Sequence, residues 1–292
     1  MSRTSTSNAE ITDPWSIGIY EGDSPLRLFP HGGVSNPVLT CRDVSDVAAS
    51  FIADPFMISA AGGWYMFFEV LNKQSGKGEI GLAQSPDGLS WAYQKIILAE
   101  PFHLSYPYIL RWRDDYYLIP ETLGAGAVRL YKAASFPSGW VHVADLIEGA
   151  CADPSIIRFE GRWWMFTCTT PSEHHTLRLY CADELRGEWF EHPSSPIVVA
   201  DARRARPAGR IVVYNNRIIR YAQDCYPRYG TNVRAFEVHE LTTATYKERE
   251  SEASPVLTAT GRGWNGRGMH HLDPHLTSSG RWLACVDGHL QP

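Results

Sequence analysis

The chain has 292 residues, 44% of them hydrophobic and 20% charged, with a formal net charge of −5. That length can bury a large core, whereas the acidic balance argues against the basic face that a nucleic acid or an anionic membrane would select. Ten Trp, 24 Gly and 19 Pro point to many short strands joined by tight turns.

The opening stretch MSRTSTSNAEITDP is polar and lacks the apolar core of a signal peptide. Residues 1–14 are therefore expected to be a flexible lead into a single domain spanning 1–292. No run approaches the roughly 18 consecutive apolar residues that cross a bilayer, so a soluble, cytoplasmic protein is expected. WSIGIYEG at 15–22 and the stretch around SNPVLT at 35–40 have strand character but no partner strands of their own.

From residue 54 onward one pattern recurs five times: a polar residue, Pro, an apolar strand, a turn, and a second apolar or aromatic strand. The copies begin at Asp54-Pro55, Tyr106-Pro107, Asp153-Pro154, Arg206-Pro207 and Asp273-Pro274, with prolines 52, 47, 53 and 67 residues apart. A period near fifty with about four strands per unit is the signature of a propeller. After each of the first four hairpins comes an alternating segment, GEIGLAQSPDG, AVRLYKAASFPSG, TLRLYCADELRG or NVRAFEVHELTT, which reads as a third strand. Segments such as WAYQKIILAE and WVHVADLIEG supply the outer strand. The fifth unit stops after two strands, so WSIGIYEG and the SNPVLT stretch are predicted to complete it and leave no open sheet edge. The fold class is all-β, a five-bladed propeller; the alternative, an open sandwich, would leave the period unexplained. The six cysteines form no CxxC pair and read as reduced, mostly buried thiols.

In a blade the first strand lines the channel and the second runs back beside it. The start of one and the end of the other therefore emerge at the same mouth. This gathers a first ring, Asp54, Tyr106, Asp153, Arg206 and Asp273, and a second, Glu69, Glu121, Cys168, Gln223 and Asp287. Asp-Pro is also a common turn opener, but three aspartates and an arginine around one channel exceed what turns require. Crowded carboxylates in a partly dry cleft push their pKa values apart, which separates acid from base. Asp54, Asp153 and Glu121 are the catalytic candidates. Glu69, His103, Ser105, Tyr106, Arg206, Gln223, His271, Asp273 and Asp287 are candidates for holding a small carbohydrate-like ligand. Arg203, Arg204, His270 and His275 lie nearby in sequence. No metal-ligand set is assigned and no cofactor is expected, although a central cation or bridging water at His271 is compatible with the pattern. His174 and His175 lack ligand spacing and read as loop residues. Trp64, Trp163, Trp164 and Trp282 are expected to pack between blades, while Tyr106, Tyr108 and Tyr226 are expected nearer the mouth, where they could stack on a sugar.

The ADP run at 53–55, WYMFFE and NPVL resemble the five-bladed propellers of glycoside hydrolase families 43, 32 and 130. A closer resemblance, carried by KGEIGLAQSPDGLSW, PFHLSYPYI, IPET, ADPSIIRFEGRWWMF and ACVDG, is to the N-terminal propeller domain of plant glucosamine inositolphosphorylceramide transferases. The first resemblance implies an Asp base or nucleophile in blade one, a modulator Asp in blade two and a Glu acid in blade three. Asp54 matches the first position, Tyr106 replaces the modulator, and Asp153 stands where Glu is the rule. The second implies that transferase chemistry belongs to a separate domain, so a partner transferase is an expected companion. Two readings follow: an inverting glycosidase in which Asp54 activates water and Glu121 or Asp153 donates the proton, or a non-hydrolytic sugar-binding propeller.

Overall fold

A propeller blade is covered on both faces, so its inner strands should be buried along their length rather than on alternate residues. The central run of the strand Gly63–Asn72 shows this, with Met66–Val70 all buried. The computed structural model describes residues 15–291; the expectation for residues 1–14 lies outside them.

Five antiparallel sheets form the blades. Blade one is Ala49–Ala60, Gly63–Asn72, Lys77–Ser85 and Ala92–Leu98. Blade two is Ser105–Trp112, Asp115–Glu121, Ala127–Ser135 and Ser138–Glu148. Blade three is Ala152–Phe159, Arg162–Cys168, Leu177–Ala182 and the short Phe190–Glu191. In blade four the first strand is broken into Arg206–Pro207 and Val212–Tyr214, followed by Arg217–Asp224, Asn232–Leu241 and Tyr246–Glu250. Blade five takes Leu272–Leu276 and Trp282–Gln291 from the end of the chain and Trp15–Ser24 and Arg27–Pro30 from its beginning.

The closure therefore runs as predicted, with Trp15 opposite His289 and Gly22 opposite Trp282. The SNPVLT stretch, however, supplies no strand. A tight turn at Pro25-Leu26 sets Arg27 directly opposite Ser24, so Arg27–Pro30 takes the outer place. Leu39 makes only a single bridge to Ile17 and packs into the apolar cluster shared by Ile19, Met57 and Cys285. Trp163, Trp164 and Trp282 are buried within such clusters, and Trp64 packs against one. The six cysteines form no disulfide with one another, and five of them are buried.

The channel is filled rather than open. Arg210, from the break in blade four, ion-pairs with Asp273 of blade five through Nε and donates from Nη2 to the carbonyls of Ile109 in blade two (3.0 Å) and Met57 in blade one (3.4 Å). Its guanidinium lies over the ring of Tyr108, 4.9 Å from the centroid. Asp273 also accepts from the Met57 N–H at 2.6 Å and lies 2.9 Å from His275 Nε2. One ion pair thus joins blades one, two, four and five at the axis. Burial opposes the charge on Asp273, but Arg210 and His275 outweigh it and hold its pKa down to about 2.

Removing Arg210 should strand a buried carboxylate. Arg210→Met is expected to lose about 3–5 kcal/mol in urea unfolding, and Arg210→Met combined with Asp273→Leu much less, because both charges leave together. The folded pKa of Asp273 is depressed, so its contribution is complete above the unfolded value and fades as pH falls from about 4 toward 2. Equal acid sensitivity of wild type and the double variant over that interval would count against this assignment.

Candidate active site at the axial mouth

In blades one, two and three the first strand slips register at a matching point: between Ala53 and Phe56, Ser105 and Tyr108, and Ala152 and Ser155. Each slip is a β-bulge, and a bulge re-aims a side chain. The residue inside each one, Asp54, Tyr106 or Asp153, has φ of +52, +49 or +51°. An ordinary residue held in that region just before Pro costs on the order of 1–3 kcal/mol. Repeated three times, the strained conformation turns three side chains toward the axis.

Around the mouth the charges interlock. Arg206 Nε donates to Asp153 Oδ2 at 2.6 Å, and its Nη2 reaches Asp153 Oδ1 at 3.3 Å and Glu121 Oε2 at 3.2 Å. Gln223 adds a donor to Asp153 Oδ2 at 2.8 Å, and the Asp153 N–H donates to Glu121 Oε2 at 3.1 Å. The other Arg206 nitrogen, Nη1, meets the Pro171 carbonyl (3.2 Å) and His174 Nδ1 (3.1 Å). Glu121 is nonetheless pushed up to about 8, because burial outweighs the guanidinium.

Asp54 is different. It is 4% exposed, and its Oδ1 has no hydrogen-bond partner. His270 Nε2 and His271 Nδ1 each lie 3.6 Å from that oxygen. Burial, then Asp153, Glu69 and Asp287, raise its pKa well above the ordinary carboxylate range against the pull of Arg206. Asp287 goes the other way. It accepts from the N–H groups of Asp54, His270 and His271 and sits 2.7 Å from His270 Nδ1. Although burial opposes its charge, His270 and these contacts hold its pKa below the ordinary value. Burial takes His271 down to about 4, so its ring is neutral, and neither ring nitrogen has a partner. Glu69 pairs with His103 at 3.0 Å, which raises the imidazole pKa.

Asp54, His270 and Asp287 place one ligand atom each within 4.8 Å of one another, a spacing on which a cation could be held. The sequence reading placed such an ion at His271 instead.

Most of the predicted ring comes together: Asp54, Asp153, Glu121, Arg206, Gln223, Asp287 and His271, with Glu69 and His103 beside them. Three predicted members do not join it. Asp273 pairs in register with Cys285, a position matched in blade one by Phe56 opposite Phe67, so it sits deeper in the channel. Blade five has no bulge to turn it outward. Tyr106 is fully buried, with its hydroxyl on Ser155 Oγ (2.7 Å) and the Gly209 carbonyl (3.1 Å). Its ring packs edge-on against His271 and Phe56 at the channel floor, with centroids 5.2 and 4.8 Å away. Ser105 is buried in the strand opposite Glu121, and no side-chain contact marks it as part of the site. Tyr108 is also buried, bound to the Ile156 carbonyl, and exposed Tyr226 stacks beneath Arg203. The aromatic residue at the mouth is Tyr229, 5.2 Å from the Arg206 guanidinium and 5.1 Å from the His270 ring. Sequence reasoning missed Tyr229 and set His174 aside as a loop residue.

The five-bladed propeller is a fold that this chain shares with glycoside hydrolases. The chain aligns at TM-score 0.60 with a glycoside hydrolase from Parabacteroides distasonis described as putative, at 13% identity over 89% of this chain and 96% of that one. It aligns at 0.56 with a family 117 glycoside hydrolase from Zobellia galactanivorans, at 15% identity over 94% and 90%. An exo-β-1,3-galactanase from Clostridium thermocellum gives 0.57 at 14% identity over 72% and 51%. These likenesses establish the fold. Residues 8–289 match the family described as glucosamine inositolphosphorylceramide transferase 1, N-terminal, and the chain belongs to that family. It is 33% identical over 95% of its length to glucosamine inositolphosphorylceramide transferase 1 of japonica rice and 32% identical over 94% to that of Arabidopsis thaliana. It spans about two fifths of the length of these relatives, 40% and 39% respectively.

Asp54 carries a measurable liability. Its folded pKa lies above its unfolded one, so stability falls as pH rises past the unfolded value. Asp54→Asn has no such loss and is expected to gain Tm over wild type progressively above about pH 4, by calorimetric scans from pH 4 to 8. A constant difference across that range would show that Asp54 is not buried against its charge.

Proposed function

We propose that the mouth binds a glycoside or sugar conjugate and acts on it by carboxylate acid–base chemistry, with Asp54 as the base and Glu121 as the proton donor. The observation that carries this reading is the partnerless Oδ1 of Asp54, buried yet facing His270 and His271. An unpaired buried acceptor is costly and needs a reason, and a ligand hydroxyl or an attacking water supplies one. Glu121, pushed up to about 8, keeps its proton at neutral pH as an acid requires. Asp153, clamped by Arg206 and Gln223, serves here to hold Arg206 in place. This narrows the choice of acid to Glu121. The name of the rice and Arabidopsis relatives pairs glucosamine with inositolphosphorylceramide, which favours a sugar attached to a phosphoinositol-type aglycone over a free polysaccharide.

A second reading is favoured by one specific feature. Tyr106 fills the blade-two first-strand position and is sealed in the core, so the position that bears a modulator carboxylate in glycosidase-type propellers carries none here. On that reading the propeller holds a sugar conjugate for a partner transferase and does not cleave it.

Binding by calorimetry and product formation should be measured together on neutral glycosides and glycosylated inositol phosphates. For the catalytic reading, Asp54→Asn and Glu121→Gln should each lower kcat by about 10²–10⁴-fold with affinity retained. The wild-type kcat/KM should rise as Asp54 loses its proton and fall above about pH 8 as Glu121 loses its own. Binding without product in wild type would establish the second reading in its place.

A further inference from the structure

Beside Trp15, which stacks on His270, lies a cavity of about 240 Å³ lined by Trp15, Arg228, Tyr229, Gly230, Arg267, Gly268 and His289. Its chemistry is the reverse of the carboxylate mouth, for no acidic residue lines it. Elsewhere on the surface Arg204, Arg217, Arg234, Arg249 and Arg281 each sit on a carboxylate. Arg228 and Arg267 pair with none among the described residues. Arg228 instead donates from Nη2 to the Arg267 carbonyl at 3.0 Å, which tethers its guanidinium to the backbone of the other arginine lining the cavity. His289 adds an Nδ1 that is buried and without a partner. Burial first, and then Arg267, His270 and Arg228, push its pKa down.

The walls are built for close approach. A Cβ on Gly230 would fall 2.7 Å from the Trp15 ring, and one on Gly268 would fall 2.1 Å from the Gly230 carbonyl. Trp15 stacks on His270 at 4.0 Å and meets His289 edge-on at 4.8 Å. Tyr229 lines the cavity and also faces Arg206 and His270. Cavity and mouth therefore share the Tyr229 side chain.

We propose that this cavity is a subsite for the phosphate group of the sugar conjugate held at the axial mouth. Two guanidinium forks and an imidazole offer more donors than a carboxylate's two oxygens readily take, and they suit the oxygens of a phosphate. The volume fits a substituent rather than a whole ligand. The assignment to one shared ligand rests on reading the mouth as a sugar site; the anion chemistry of the cavity does not.

The test is calorimetry on the folded chain with inorganic phosphate, glucose 1-phosphate and glucose, and co-sedimentation with phosphatidylcholine vesicles containing or lacking phosphatidylinositol. Wild type should bind glucose 1-phosphate more tightly than glucose, and added salt should weaken that advantage. Arg228→Gln with Arg267→Gln should cost about tenfold or more in affinity for both phosphates and leave glucose binding unchanged. Arg267→Gln alone, whose side chain makes no hydrogen bond or ion pair among the described residues, should show part of the same loss. A loss of vesicle binding in the double variant identifies a lipid headgroup as the source, and indifference to vesicles with retained glucose 1-phosphate binding identifies a soluble sugar phosphate. Phosphate bound through the arginines with no response to glucose would leave the anion site standing and remove the sugar reading of the mouth. Equal phosphate affinity in wild type and both variants, or no binding up to about 10 mM, overturns the proposal.

Discussion

The pairing of Arg210 with Asp273 is the constraint around which the propeller is arranged. Five separate sheets meet at an axis where their first strands cannot all hydrogen-bond to one another. Something must satisfy the backbone groups that face the centre. Arg210 does so by spending one nitrogen on Asp273 and another on the carbonyls of Met57 and Ile109. Asp273 answers by accepting the Met57 N–H. A buried ion pair is weak evidence for stability in general, since an apolar replacement often does as well. Here the pair has a further role, because a forked donor from blade four and a carboxylate from blade five together reach backbone groups of blades one and two. The gap in blade four that admits Arg210 is also why that blade's first strand is split between Pro207 and Val212.

With the channel floor fixed, the mouth above it can be strained. Bulges in blades one to three hold Asp54, Tyr106 and Asp153 at positive φ, and only two of the three become part of the site. Tyr106 uses the same geometry to reach Ser155 of blade three and Gly209 of blade four, closing the floor beneath the carboxylates. One backbone device thus serves chemistry in blades one and three and architecture in blade two. The asymmetry among the blades, rather than their repetition, shapes the pocket.

The number of blades, the hairpins and the closure by Trp15–Ser24 were legible because each rests on local periodicity and on the rule that sheet edges must be covered. The ring at the mouth was legible wherever hairpin length was constant. Pro55, Pro107 and Pro154 each stand nine residues before the aromatic that opens the second strand, and there the alignment located Asp54, Asp153, Glu69 and Glu121 correctly. Pro274 stands only eight residues before Trp282. That missing residue is the missing bulge, and it is why Asp273 lies deeper than its sequence neighbours suggested. Polarity misled in a second way at Tyr106, whose hydroxyl suited a wet mouth but found its partners in the core. His174 and Tyr229 escaped because they lie in connections without motif. The topology held the clue: a connection leaving the end of a second strand starts at the mouth, as 169–176 does after Cys168 and 225–231 does after Asp224.

The electrostatics of the mouth follow from the same arrangement. Asp54, Glu69, Glu121, Asp153 and Asp287 are all buried there, with Arg206 as the one arginine among them. One guanidinium cannot neutralise five carboxylates in a medium of low polarity, so the groups it does not touch must hold protons or find other partners. Arg206 secures Asp153, His270 secures Asp287, and His103 takes Glu69. Asp54 is left over, with an oxygen facing two imidazoles too distant to bond. The fold could remove that cost by placing an amide at position 54. That it instead holds a carboxylate there, on a strained residue, with its neighbours' charges already satisfied, makes Asp54 the group through which a ligand would gain most on entering the mouth.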